Sequence, residues 1–195
     1  LQELAFILSS AKVQRGDTDI ALEVAVELLE FVDAEWANQD TATYADFGLN
    51  GRLPEYFHDR TFKEVLACRR FMQLFPCNSW ERSIVYSSLL HILHGNRPYA
   101  LSRRSHPVTP LKPTGDLIYR PVRSRLQDKL NRSLMLAIPQ DTQKGKATLG
   151  AFSDLRFRGT IDAIITSPPF AESTRFYSTN WMRLWMAGWE PSDFA

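Results

Sequence analysis

Four consecutive residues near the end of the chain, Ser167-Pro168-Pro169-Phe170, have the types and order needed to hold a polar group and an aromatic ring in fixed relation. Each proline locks its own φ at about −65° and restricts the residue before it, so the backbone is extended. Such a unit can accept hydrogen bonds from an amino group while the ring stacks on the heterocycle that bears it. That chemistry suits a site acting on the exocyclic amine of a flipped base. An ordinary proline-rich turn after a strand is the alternative interpretation.

The stretch Thr166–Phe170 resembles the catalytic motif of amino-methylating DNA methyltransferases, which is Asp, Asn or Ser, then Pro-Pro, then Tyr, Phe or Trp. The serine form preceded by threonine is most similar to enzymes that methylate N4 of cytosine, with N6 of adenine as the alternative. The resemblance implies that Ser167 and the carbonyl of Pro168 accept hydrogen bonds from the amine, that Pro169 completes the rigid turn, and that Phe170 stacks on the base. It also implies S-adenosylmethionine as methyl donor, double-stranded DNA as substrate, and catalysis mainly by orientation.

Three further stretches are similar to segments of a group of bacterial and phage DNA methylases in this family. The first is residues 56–58 and 60–61 with the helix that follows. The second is made of residues 94–97 (HGNR), 101–105 (LSRRS) and 107–110 (PVTP), and the third is residues 180–188 (NWMRLWMAG). The resemblance therefore covers most of the chain from about residue 54 onward, and the first 50 residues match nothing in it.

The cofactor-binding pattern of these relatives is only partly present. They show Gly-Asp-Ala-x-Asp-Leu before the catalytic strand, whereas residues 150–155 here read GAFSDL, with Ala151 in place of the first acid. The resemblance leaves Asp154 as a cofactor contact, with Thr166 in support; a solvated turn aspartate is the alternative. No two of the nine glycines are separated by a single residue, so the glycine-rich cofactor loop is missing. We therefore expect the chain to be part of a longer protein and to be inactive by itself.

The charge distribution predicts a polyanionic partner. The net charge is only +1, but residues 1–50 carry ten acids against two bases, and residues 91–132 carry nine bases against two acids. Concentrated basic blocks bind polyanions, although a solvated helix face looks the same in sequence. We expect Arg97, Arg103 and Arg104, which flank a proline-rich loop, to contact DNA phosphates. The arginines of the following helix are more simply explained as residues on the solvated face of that helix.

Composition and spacing argue against several other classes. No apolar run approaches the ~18–20 residues of a membrane span, and the two cysteines form neither a CxxC pair nor a zinc quartet. We therefore expect a cytoplasmic protein with reduced thiols, no metal and no membrane. His91 and His94 lack a third ligand at suitable spacing. A non-catalytic DNA-binding relative, a methyltransferase for RNA or a protein amide, and a cognate restriction enzyme as partner all stay open.

The periodicity predicts which elements position these residues. Apolar spacing and caps predict helices over about 1–13, 18–38, 59–75, 79–93, 121–138 and 178–188. The candidate N-caps are either Asp17 or Thr18 for the second helix, Ser79 for the fourth, and either Asp59 or Thr61 for the third, where Glu64 completes a capping box with Thr61. A basic loop with four prolines spans 94–119. The apolar run Ile161–Ile165 predicts a buried parallel strand before the motif. The expected fold is therefore α/β: residues 1–145 form a mainly helical region and 146–195 a partial Rossmann-like methyltransferase core.

Overall fold

Six α-helices make up most of the molecule. The computed structural model describes residues 3–42, 52–104, 112–136, 143–151, 153, 156, 159–165 and 175–194. In chain order the helices are α1 (Glu3–Val13), α2 (Thr18–Glu35), α3 (Asp59–Leu74), α4 (Trp80–Leu93), α5 (Val122–Leu134) and α6 (Arg175–Met186). Short 3₁₀ turns follow α2 at Trp36–Asn38, precede α3 at Leu53–Tyr56 and follow α6 at Pro191–Phe194. All six helices were predicted from the sequence, with ends that shift by a few residues.

Two of the predicted N-caps are confirmed. The Asp17 carboxylate accepts from the N–H groups of Asp19 and Ile20, at 2.8 and 3.3 Å, and so satisfies the first turn of α2. The Ser79 hydroxyl accepts from the Arg82 N–H at 3.3 Å at the start of α4. Both side chains satisfy backbone donors that a helix leaves unpaired at its first turn.

The predicted capping box of α3 is wrong. The N-cap is His58, whose Nδ1 accepts from the N–H of Arg60 at 3.3 Å. Thr61 lies one turn inside the helix and is fully buried. Its hydroxyl bonds to both the N–H and the carbonyl of Arg120, at 2.9 and 3.1 Å. The sequence pattern was therefore present, but its residues have partners from a distant part of the chain.

Helix α4 lies at the centre of the bundle. It contacts α1, α2, α5 and α6, and buried residues occur on all its faces. A helix that is apolar all round must be enclosed by its neighbours. Because its neighbours enclose α4, they hold its carboxyl end in place, and the loop that follows packs against this end.

Aromatic rings fill the core between α3, α4 and α6. Trp181 and Trp185 are fully buried and form the core face of α6. The Trp185 ring stacks on Phe62 at 6.4 Å between centroids, and the Trp181 ring meets Tyr56 edge-on at 5.4 Å. Large rings with few rotatable bonds bury much area for little lost entropy, so they hold α6 firmly.

The prediction of an α/β, Rossmann-like fold is wrong. Across the described ranges there is no strand, and the only strand-like pairing is an isolated bridge between Arg104 and Thr114. The run Ile161–Ile165 is irregular, with Ile164 72% and Ile165 98% exposed. A buried parallel strand needs a hydrogen-bonded neighbour, and no described residues supply one. An apolar, β-branched run indicates side chains that favour burial. The run cannot by itself supply the neighbouring strand that a sheet requires.

The division at residue 145 stays a prediction. Helix α6, which belongs to the predicted second part, packs in the same hydrophobic core as the helices of the first part.

Candidate nucleic-acid interface

A cleft of about 390 Å³ opens where α4 ends. We call it the Tyr99 cleft, and its side chains include two histidines, two arginines, an asparagine and a tyrosine: His91, His94, Asn96, Arg97, Tyr99 and Arg183. No carboxylate belongs to this lining. A concave site with cationic groups and no acid is suited to an anion.

The local sequence explains why the chain reverses here. His94 is the C-cap of α4 in an extended conformation, and Gly95 follows with φ +149°. A side chain rarely adopts that φ, so glycine is the residue that permits the turn. The Ala100 N–H then bonds to the Arg97 carbonyl at 2.9 Å, and the Leu101 N–H returns to the Ile92 carbonyl at 2.8 Å. The turn therefore projects Arg97 and the residues after it out over the end of α4.

Arg97, Tyr99 and His91 form a connected polar group. The Arg97 guanidinium donates to the Tyr99 hydroxyl oxygen at 2.8 Å, and its Cζ lies 5.8 Å from the ring centroid. His91 Nε2 lies 3.0 Å from the same hydroxyl, and the two rings stack at 5.4 Å. Because Arg97 donates to the oxygen of the Tyr99 hydroxyl, the proton of that hydroxyl is left to be donated to a neutral His91. Tyr99 thus positions an exposed arginine at the mouth of the cleft.

Arg183 ties α6 to the end of α4. Its guanidinium donates to the carbonyls of Leu90 and His94, each at 3.1 Å. Helices leave their last four carbonyls unpaired, and a buried cation there is favourable for the helix dipole as well. Burial lowers the pKa of Arg183 from its ordinary value. This side chain forms the floor of the cleft and has structural partners of its own.

Helix α5 contributes one cation beside Tyr99 and a second that acts on His91. The Cζ of Arg132 lies 5.6 Å from the Tyr99 ring centroid, and Arg132 itself is exposed. Lys129 is half-buried one turn earlier, and burial followed by Arg132 lowers its pKa. The sequence alone did not single out Lys129, and it assigned Arg132 to the solvated face of a helix. Their three-residue spacing, which puts both on one helix face, was the available signal.

The two histidines report the electrostatics of the cleft. Burial lowers the pKa of His91 to about 4, with further contributions from Lys129, Arg183, Arg97 and Arg132. Burial and then Arg183 lower the pKa of His94 to about 4. Both imidazoles are therefore neutral at pH 7, and the positive potential of the cleft comes from the arginines and the lysine.

The three arginines predicted to contact DNA lie in different settings. Arg97 is exposed at the cleft, and Arg104 is exposed beside the loop that returns to Thr114. Arg103 instead donates to the carbonyls of Gly115 and Glu55, the second at 3.2 Å. Its guanidinium holds the two sides of the loop together. The geometry favours Arg97 and Arg104 for contact with a partner.

Two of the helix arginines hold the framework of the cleft. Arg125 donates to the carbonyls of Pro98 at 2.7 Å and Ala100 at 3.3 Å, which fixes the loop against α5. Arg123 pairs with Asp33 of α2. These basic residues thus keep α5 and the loop in register, so the third arginine of the helix, Arg132, stands beside Tyr99.

Six predicted site residues lie outside the described residues: Ser167, Pro168, Pro169, Phe170, Asp154 and Thr166. Two of the described cavities do not fit S-adenosylmethionine. The Tyr99 cleft is cationic, and it would repel the sulfonium of the methyl donor. A pocket between α1, α3 and α6 has about 230 Å³ and a mostly apolar lining, below the roughly 300–1,000 Å³ of ordinary small-molecule sites.

Among the described residues, no group of three or more His, Cys, Asp or Glu side chains could hold a metal ion. Among the same residues, no helix is both long and apolar enough to span a bilayer. Cys68 and Cys77 are both thiols; Cys68 is buried, and burial raises its pKa.

No protein-family model matches the chain, and comparisons with curated proteins and with solved structures find no similar protein.

Proposed function

We propose that this chain is part of a DNA methyltransferase that transfers a methyl group to the exocyclic amine of a flipped base, N4 of cytosine in preference to N6 of adenine. Ser167 and the Pro168 carbonyl orient the amine, and Phe170 stacks on the base. S-adenosylmethionine is the proposed methyl donor, duplex DNA the proposed substrate, and the cytoplasm the proposed location. The helical bundle carries the DNA contacts.

One observation carries this proposal beyond the motif: the three other stretches that resemble the family pack against one another. Tyr56, from the first stretch, lies between the other two. Its ring is 5.7 Å from that of His94 and 5.4 Å from that of Trp181, edge-on to both. The Arg183–His94 hydrogen bond joins the second and third stretches directly. Segments far apart in sequence that share one resemblance and one packing unit are expected if they serve one function.

The cleft adds a second line of support. Two of these stretches supply Arg97 and Arg183 to one cationic concavity, and a basic concavity is the electrostatic footprint of a nucleic-acid-binding protein. Phosphate contacts of this kind fix the register of the duplex, and the base is read elsewhere.

Methyl incorporation into duplex oligonucleotides by the complete protein tests the proposal. Ser167→Ala should lower the rate roughly 10²- to 10³-fold, the effect of removing one positioned hydrogen-bonding group, and Phe170→Ala should lower it as well. Both variants should keep the DNA affinity of the unmodified protein. Ser192→Ala, an exposed serine in the turn after α6, is the matched control and should change neither property. Wild-type rates in both motif variants would remove the assigned roles.

A DNA-binding protein without catalysis is the second candidate. It is favoured by the cationic cleft, which suits phosphates and would repel the sulfonium of the methyl donor. Salt-sensitive DNA binding by the complete protein, with no binding of S-adenosylmethionine in calorimetry, would support this candidate over the enzyme.

A further inference from the structure

Six described arginines form ion pairs with Asp or Glu side chains. Four of them are exposed, namely Arg52, Arg60, Arg70 and Arg123, and two are more buried, namely Arg69 and Arg82. In each pair the carboxylate offsets the positive charge of the guanidinium. These arginines therefore contribute little to the electrostatic potential at the surface of the bundle.

The cations around Tyr99 are arranged differently. Within the described ranges, no carboxylate lies at ion-pair distance from Arg97, Lys129 or Arg132. Arg97 and Arg132 both lie within 6 Å of the centroid of one ring, at 5.8 and 5.6 Å. Two like charges from two separate segments are therefore gathered on one aromatic side chain, and neither forms an ion pair within the described ranges. Lys129, one turn before Arg132, acts on the His91 ring that stacks on Tyr99, because it contributes to the lowered pKa of His91. Like charges so close repel one another, and an anion between them relieves that repulsion.

Tyr99 also connects two concavities. It lines the Tyr99 cleft and a second groove of about 360 Å³ that runs between the loop and α5, past Pro98, Arg125 and Arg132. A single small anion would need only one of these. Two adjoining grooves with cations at their shared wall fit an extended chain of anions better.

One carboxylate stands in the second groove. Asp128 is exposed on α5, one turn before Arg132. Burial and then Arg120 lower the pKa of Arg125, and Asp128 opposes that shift. Its position gives the site an internal test, because removing this negative charge should help an anion to bind.

We propose that Arg97, Lys129 and Arg132 form a clamp around Tyr99 for successive phosphates of a duplex DNA backbone. The shared chemistry is that of a phosphate anion, and arginine forks suit its oxygens. The identification of the polyanion as DNA rests on the proposed function. The clamp itself rests on the geometry and would survive if the methyl transfer were not found.

Fluorescence anisotropy with a labelled duplex oligonucleotide over a salt series tests the clamp. Each lost phosphate contact should weaken binding to all sequences alike and reduce the slope of log affinity against log salt by about one. We expect this of Arg97→Ala, Lys129→Ala and Arg132→Ala. Lys12→Ala is the charge-matched control: it is exposed on α1, near the first residue of α4, about 20 Å of helix away from the cleft. Asp128→Asn should tighten binding.

A second measurement does not depend on substitutions. His91 lies inside the cleft with its pKa lowered to about 4. A phosphate bound beside Arg97 and Lys129 would offset the cations that contribute to this shift. NMR titration of His91 with and without the duplex should therefore show its pKa rising toward its ordinary value when DNA is bound.

Several results would overturn the clamp. One is equal salt slopes for the three alanine variants and the Lys12→Ala control; another is an unchanged His91 pKa in the DNA complex. Displacement of the duplex by millimolar inorganic phosphate would assign the cleft to a free anion, and preference for RNA of the same length would reject DNA. Failure of the proposed function is separate: it appears as absent methyl transfer while the three variants still lose DNA affinity.

Discussion

Replacing Arg69 with alanine should destabilise the protein by about 3 kcal/mol. Arg69 extends from α3 to the carboxyl end of α6, and its side chain is 3% exposed. The guanidinium donates to the carbonyls of Trp185 at 2.9 Å and Trp189 at 3.3 Å, and to the Glu190 carboxylate at 2.5 Å. It also lies over the Trp185 ring at 5.1 Å. One side chain therefore closes the last turn of the helix that follows the Ser167–Phe170 motif.

The magnitude follows from these contacts. Hydrogen bonds to a charged group contribute about 1.5–3 kcal/mol each, and ordering an arginine costs up to about 2 kcal/mol. Removing one partner of a buried ion pair costs about 3–5 kcal/mol. Because Glu190 is 51% exposed, its carboxylate would be solvated after the substitution, and the lower end of that range applies. A loss of this size is a large fraction of the ~5–15 kcal/mol that stabilises a typical domain.

Urea unfolding followed by tryptophan fluorescence measures this effect. Arg70→Ala is the matched control, because Arg70 is the next residue on α3 and pairs at the surface with Glu35. That exposed pair should contribute less than about 1 kcal/mol. Glu190→Gln should also cost less than about 1 kcal/mol, since it leaves both carbonyl contacts of Arg69 in place. An Arg69→Ala stability within 1 kcal/mol of that of Arg70→Ala would refute the reasoning.

Two further predictions concern buried polar groups. Glu64→Ala should cost about 1–3 kcal/mol, because it leaves the buried Val122 N–H, bonded to the carboxylate at 2.9 Å, without that acceptor; Glu64 also accepts from Tyr119 at 2.6 Å. Equal urea midpoints for Glu64→Ala and the parent protein would contradict this. The second prediction is a pH dependence from His94, whose pKa is lowered to about 4 by burial and then by Arg183. Because the unfolded state takes up this proton at higher pH than the folded state, the stabilisation is complete above pH ~6.5 and is lost as pH falls toward 4, by about 3 kcal/mol. Chemical unfolding between pH 7 and 4 should show a shallower loss for His94→Gln than for the parent, and parallel curves would count against it.

The sequence was sufficient where the determinants are local. The Asp17 and Ser79 caps act within three residues of themselves, and the apolar spacing of α2, α4 and α6 repeats every three or four residues. Both signals are complete within a single helix, so the helices were predicted with nearly correct ends.

The failures all concern partners that the sequence does not specify. Thr61 and Glu64 have the spacing of a capping box, but Thr61 binds Arg120 and Glu64 caps α5 through Val122. The run Ile161–Ile165 has the composition of a buried strand, but a strand also needs a neighbouring one. In each case the local pattern indicates which type of interaction a residue can form. It does not indicate which residue or strand is the partner.

The candidate site divides along the same line. The sequence by itself determined the helices, the turn after α4 at Gly95, the concentration of basic residues and the Thr166–Phe170 motif. Only the tertiary structure decided which of those basic residues form an ion pair with a carboxylate and which do not. Arg69 and Arg123 found partners more than 80 residues away, whereas Arg97 and Arg132 were brought to one ring without a carboxylate among the described residues. Charge is a property of composition, but compensation of charge depends on distances that exist only in the folded chain.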